Sequence, residues 1–372
     1  MNIEQLFRRK TASLSYMPEV DGIRFVAITM VFLLHAFYTF HSLTSPGPTF
    51  VKVGHVLFDN GAKGVLLFFI LSGFILSLPF AKYYLQQGKR IDLKAYYLRR
   101  LIRLEPPYII AMSLFALLQI AKTPEFAESI LTHLMVSFAY LHNIVYQHWS
   151  YINLVAWTLE VEVQFYLLAP LICRVFLLSM KMRRLLLWSA VVVLTMLQFI
   201  YLPVVSSLYQ YLHFFLLGIL LTDYHVNGYP RIFLNGYSLL VSLGLFMILY
   251  FLPSYAHRPA TFLFPFAAFC WMMSVFANER VKKMLSGKVI SLIGGMCYSI
   301  YLLHFPLCSI TGEWLYRIGF RSSSAGNFIL HMMVYVIVVL LVSSLFYLLI
   351  EKPFMVLSTK WKGRQRTSFD KQ

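Results

Sequence analysis

Ten stretches, each close to the length a helix needs to cross a bilayer and mostly apolar, recur along the chain, and nearly all lysines and arginines fall between them. The stretches are 22–41, 64–81, 106–121, 159–178, 185–203, 208–223, 236–253, 259–277, 290–311 and 326–350. A further apolar stretch, 131–146, contains His133, His142 and Asn143 and is expected to be interfacial or re-entrant. With 59% of residues apolar, 13% charged and a mean hydropathy of +0.69, too little polar surface remains for a soluble enzyme, a disulfide scaffold or a disordered chain. The expected fold class is an all-α polytopic membrane protein with about ten transmembrane helices. It is organised as one membrane domain over 1–359 and a basic cytoplasmic tail over 360–372.

The net charge of +17 raises nucleic-acid binding as an alternative, and the placement of the charges argues against it. With the N-terminus inside, 25 of the 32 basic residues fall in inner segments and six in outer ones, with Arg24 inside the first span. This is the positive-inside bias, and it puts both termini in the cytoplasm. Counting 131–146 as a crossing would invert every later segment and remove the asymmetry. The opening MNIEQLFRRKTASLSYMPEVDG lacks the apolar core and cleavage site of a leader, so the first span is expected to be permanent. Cys173, Cys270, Cys297 and Cys308 all sit in apolar stretches and read as buried free thiols.

Ionisable groups at membrane depth are expensive, so each is a candidate for function. In DGIRFVAITMVFLLHAF, Arg24 and His35 are eleven positions apart, which puts them on one helical stripe about 16 Å apart. Asp21 opens that helix three residues before Arg24, where an anion suits the macrodipole. A second element, WTLEVEVQFYLL, carries Glu160 and Glu162, which point to nearly opposite sides of a helix. Glu162 is expected in the outer half of the membrane beside His35, orienting its imidazole. A third, KRIDLKAYYLRRLIRLEPPY, gathers Arg99, Arg100 and Arg103 on the inner side, ahead of Pro106 and Pro107 at the start of the next span. Each element has a plainer reading: a snorkelling arginine with an interhelical histidine, an interfacial glutamate, and lipid anchoring. Spacing alone leaves both readings open. P-loop, zincin and nucleophile-elbow motifs are absent, and the eleven histidines are scattered. No metal site is expected, and His142 and His148 read as polar groups of an outer loop.

Taken together, MPEVDGIRFVAITMVFLLHAF, GVLLFFILSGFIL, YYLRRLIRLEPPY, VAWTLEVEVQFYLLAPL, YLHFFLLGILL, ISLIGGMCYSIYLLHFPL and LIEKPF resemble the acyltransferase 3 family of integral-membrane O-acyltransferases. They run in order from residue 17 to residue 354. The resemblance implies a ten-span enzyme of the bacterial cytoplasmic membrane that binds no resident cofactor. It would use acetyl-CoA or another acyl-CoA as co-substrate and acylate a hydroxyl of an extracytoplasmic glycan such as O-antigen, exopolysaccharide or peptidoglycan. By position, His35 matches the family's essential histidine and Arg24 its paired basic residue. Arg100 and Arg103 match the donor-side arginine pair, and Glu162 the glutamate of the Val-Glu step. Many relatives carry a second glutamate where this chain has Val163, so the role of Glu160 stays open. Both direct transfer through His35 as general base and an acyl-histidine route fit this pattern. The competing class is a transporter or flippase for a lipid-linked saccharide, which would show paired Gly/Pro-broken helices in two related halves.

Overall fold

The computed structural model describes residues 16–200, 205–252 and 258–359. The basic tail and the Arg8, Arg9 and Lys10 cluster lie outside the described residues. Among those described the chain is helical, with no β-strand. This suits a lipid surround, where each backbone N–H and C=O must be satisfied within the protein. The helices are α1 (Pro18–Thr44), α2 (Pro48–Phe58), α3 (Lys63–Gln86), α4 (Leu93–Lys122), α5 (Ala127–Phe138), α6 (His142–Tyr146), α7 (Trp157–Ile172) and α8 (Met180–Ile200). They continue as α9 (Leu208–Asn227), α10 (Gly236–Phe251), α11 (Arg258–Ala277), α12 (Glu279–Leu285), α13 (Lys288–Gly295), α14 (Cys297–Arg317) and α15 (Ala325–Phe346). The last runs on through a π turn at Tyr347–Glu351 to Thr359.

Six helical segments are long and apolar enough to cross a membrane: α1, the continuous α2–α3 run, α4, α8, α11 from Pro259 and α15 with its extension. The pair α13–α14 makes a seventh if it is one span bent by 70°. Three of the ten expected spans therefore fall short, for distinct reasons. Helix α7 is 16 residues long before it tightens into a 3-10 turn, and α10 is also 16. Helix α9 is 20 residues long but polar at both ends, and its middle, Phe214–Asp223, is buried by other helices. A helix enclosed by protein has no need to be apolar along its whole length. The 131–146 stretch forms two short helices; α5, at about 18 Å long, is well short of the hydrocarbon thickness.

The place of two prolines is corrected. Pro106 and Pro107 do not open a helix: α4 is a single 30-residue helix that starts at Leu93, carries Arg99, Arg100 and Arg103, and has both prolines inside it. Its N-cap is Asp92, whose carboxylate accepts from Ala95 N at 3.1 Å. Close to the prolines, the Tyr298 hydroxyl donates to the Leu104 carbonyl at 2.8 Å and ties α14 to α4.

Helix α1 occupies the centre, flanked by α3, α13, α14 and α15. Helices α3 and α9 cross closely: a Cβ on Gly73 would overlap the Phe215 carbonyl, and one on Gly218 would overlap the Ile70 carbonyl. The helix ends pair across the bundle. At one end Lys122 meets Glu313 at 2.8 Å, and Lys63 Nζ donates to the Leu249 carbonyl at 2.8 Å where α10 ends. At the other, Arg183 and Arg184 close on Asp223, and the Tyr97 hydroxyl donates to the Leu167 carbonyl at 3.0 Å. Leu117, Leu171, Leu240 and Leu349 are among the many large apolar side chains left on the outside, as a lipid-facing surface requires.

Candidate active site

Helix α1 turns the His35 imidazole inward. Its Nδ1 lies 3.0 Å from Nε2 of His304 on α14, and Phe305 packs edge-on with ring centroids 5.1 Å apart. His304 is fully buried, with its Nδ1 2.8 Å from the Tyr301 carbonyl and 3.2 Å from that of Ile300. From α15 the Tyr335 hydroxyl donates to the His304 carbonyl at 2.9 Å and its ring stacks on Phe32 at 4.5 Å. The Cys308 thiol contacts the His35 carbonyl at 3.8 Å. His35 itself stays half-buried, so the ring is positioned without being sealed.

Arg24 pairs with the buried Asp21 at 2.6 Å near the start of α1. It does not meet His35, because eleven residues of helix separate their positions by about 16 Å.

The side chain hydrogen-bonded to His35 is His304, and Glu162 has other partners. The Glu162 carboxylate accepts from the Ser72 hydroxyl of α3 and hydrogen-bonds Tyr166 one turn further along α7. The Tyr166 ring lies under the Arg100 guanidinium, 5.6 Å from its centroid. Glu162 is thereby linked to Arg100 through Tyr166, while Tyr301, whose ring packs on His304 at 5.6 Å, also lies within its electrostatic reach. Arg99 and Arg103 are half-buried on the same helix as Arg100. Glu160 is buried and accepts from the Asn143 backbone N–H at 2.9 Å, so it ties α7 to α6.

Reading the sequence missed His304, although the same rule that singled out His35, an ionisable side chain within an apolar span, applies to it equally. Two carboxylates at the ends of expected spans, Asp223 and Glu351, are buried as well. Ser299 donates to Glu351 at 2.5 Å.

His142 and His148 sit with His133 in a cluster beside Tyr146 and Tyr151. His133 Nδ1 and His142 Nε2 are 2.8 Å apart. Burial, with His133 and His148 close by, pushes the pKa of His142 down to about 4. Among the described residues, no group of three or more His, Cys, Asp or Glu side chains is arranged to hold a metal ion.

With this geometry in hand, comparison with known proteins is direct: residues 17–348 match the acyltransferase 3 family, described as an acyltransferase domain. The chain belongs to the acyltransferase 3 family. Among curated proteins it is similar to "O-acetyltransferase OatA" of Staphylococcus aureus strain NCTC 8325 / PS 47, with 26% identity over 331 residues, 80% of this chain and 51% of that protein. It is also similar to a "Putative O-acetyltransferase" of Staphylococcus aureus strain MSSA476, with 23% identity over 338 residues, 82% of this chain and 53% of the relative. The chain therefore spans about half the length of the curated relatives it matches. No solved structure matches it.

Proposed function

We propose that this acyltransferase 3 member moves an acetyl or other short acyl group from cytoplasmic acyl-CoA to a hydroxyl of an extracytoplasmic glycan, such as O-antigen, exopolysaccharide or peptidoglycan. The observation that carries the reading is the His35 imidazole, turned into the bundle against His304 and left half-buried. A histidine facing lipid could meet neither substrate. The protein sits in the bacterial cytoplasmic membrane with ten crossings and both termini inside. The pairing of Lys122 with Glu313 and of Arg183 and Arg184 with Asp223 supports this topology, because each joins helix ends that it assigns to the same side.

Arg99, Arg100 and Arg103 receive the phosphates of the nucleotide end of acyl-CoA, for which forked guanidinium donors are suited. The Glu162–Tyr166 pair holds Arg100 in place through the ring beneath its guanidinium. Arg24, held by Asp21, stands by the inner mouth and guides the thioester arm toward His35 about 16 Å along α1. His35 takes the proton of the acceptor hydroxyl as that oxygen attacks the thioester carbon. The alcohol O–H breaks, the new ester C–O bond forms, the C–S bond breaks, and CoA leaves as the thiol once the proton is returned.

The test is transfer of radiolabel from acetyl-CoA to the envelope glycan of membrane vesicles carrying the full-length protein, with mass spectrometry locating the ester. Labelled glycan that depends on His35 is expected. Wild-type labelling by His35→Ala at equal expression would sink the reading.

A further inference from the structure

Tyr301 and Ile300 offer the Nδ1 of His304 only carbonyl oxygens, and this decides where two protons sit along the chain of groups ending at His35. We propose that His304 is a positioning residue that holds His35 in the tautomer whose basic lone pair is on Nε2. The proposal rests on the reading of His35 as the general base.

The assignment follows from the hydrogen-bond partners. His304 Nδ1 faces the Tyr301 carbonyl at 2.8 Å and the Ile300 carbonyl at 3.2 Å. Carbonyl oxygens only accept, so Nδ1 carries the proton. A neutral imidazole has one N–H, which leaves His304 Nε2 as a bare acceptor. That atom lies 3.0 Å from His35 Nδ1, so His35 Nδ1 carries a proton and donates it. His35 Nε2 is then the unprotonated nitrogen, the one not engaged by α14. A histidine's reactive nitrogen is set by the hydrogen bond its other nitrogen makes.

The surroundings hold this arrangement rigidly. Pro306 has no N–H to offer the Leu302 carbonyl, and Asn153 Nδ2 donates to that carbonyl instead at 2.8 Å. The Tyr335 hydroxyl takes the His304 carbonyl from another side. The turn bearing His304 is therefore fixed by side chains from outside its own helix. The choice of a neutral ring also has a physical reason. A carboxylate in this position would be a buried anion needing compensation, whereas a neutral imidazole supplies an acceptor with no net charge.

In the reaction, the acceptor O–H breaks and a new N–H forms on His35 Nε2. The resulting imidazolium keeps its Nδ1–H on His304 Nε2. His304 stays neutral throughout, with its own Nδ1–H on the carbonyls. The proton on His35 Nε2 later goes to the departing CoA sulfur.

Two amides separate the two ends of the His304 ring. His304→Asn keeps a donor for the Tyr301 carbonyl but loses the acceptor facing His35, whereas His304→Gln extends an amide oxygen to where Nε2 lies. Full-length protein in proteoliposomes would be assayed for radiolabel transfer from acetyl-CoA to envelope glycan extracted from the producing cells. His304→Asn is expected to lower kcat about 100-fold with KM for acetyl-CoA changed by less than about two-fold, and His304→Gln to stay within about tenfold of wild type. Equal kcat in the two variants, whether both active or both dead, overturns the proposal. His35→Ala serves as the separate control. If it still transfers label, the base reading itself fails; if it is inactive while His304→Asn is fully active, only the role of His304 falls.

Discussion

Asp223 and His35 are both ionisable residues carried into the bundle on membrane-embedded helices, yet the protein treats them in opposite ways. Asp223 is completely buried and saturated with donors: Arg183 Nε, Arg184 Nε at 2.5 Å and Asn227 Nδ2 at 3.0 Å. The Arg184 guanidinium also covers the Tyr224 ring at 4.2 Å. His35 is half-buried, and the side-chain hydrogen bond that holds it engages one edge of its ring. A buried charge with every partner supplied is a fastening between α8 and α9. A pinned ring with one edge left open suits the base proposed for His35. Membrane depth alone does not separate the two; burial and hydrogen-bond saturation do.

That contrast is sharpest in a pair of variants. His35→Ala should lower acyl transfer by about 10²–10⁴-fold, the range for a general base, with an unchanged thermal unfolding midpoint in detergent. Asp223→Ala should do the reverse. It strands two arginines, one of them buried, and should destabilise the protein by about 3–5 kcal/mol, while the fraction that remains folded keeps its KM for acetyl-CoA. A stability loss at His35, or a loss of activity alone at Asp223, would erase the distinction.

The same contrast explains which features are legible in the sequence alone. Helix class and the lipid-facing character of the chain follow from apolar runs, because lipid leaves a spanning chain few options. Span counting is weaker wherever a helix is shielded by protein: α9 carries His213 and Asp223 without penalty because its neighbours, not lipid, surround it. His35 and the arginines of α4 were legible as single residues on their helices. Their partners were not, since His304 lies 269 positions away from His35 and Ser72 lies 90 from Glu162. Helical spacing relates residues within one element and says nothing about which element stands opposite. The two prolines of α4 misled because a missing N–H reads as a helix boundary, whereas the helix runs through both.

A smaller effect tests the arginine side. Glu162→Gln weakens the acceptor that holds Tyr166 under Arg100, so KM for acetyl-CoA should rise about tenfold, with kcat falling less. Arg100→Ala should raise KM at least as much. If Glu162→Gln instead acts on kcat alone, Glu162 serves the chemistry at His35 and the division between the two neighbourhoods is wrong.

The smallest effect concerns the α5–α6 connection. The His142 pKa is pushed from its ordinary value of 6.5 down to about 4 by burial and by His133 and His148, so the folded cluster resists protonation. Its contribution to stability is complete above pH 6.5 and drains away as the pH falls toward 4, because an opened connection takes up the proton the folded one refuses. Hydrogen exchange across α5 and α6, corrected for the intrinsic pH dependence of exchange, should show earlier opening at pH 4.5 than at pH 7.5. His142→Phe should flatten that difference while the unfolding of α8 and α9 around Asp223 stays unchanged. Equal acid sensitivity in both regions would mean that the protein loosens as a whole, with no separate unit built around His142.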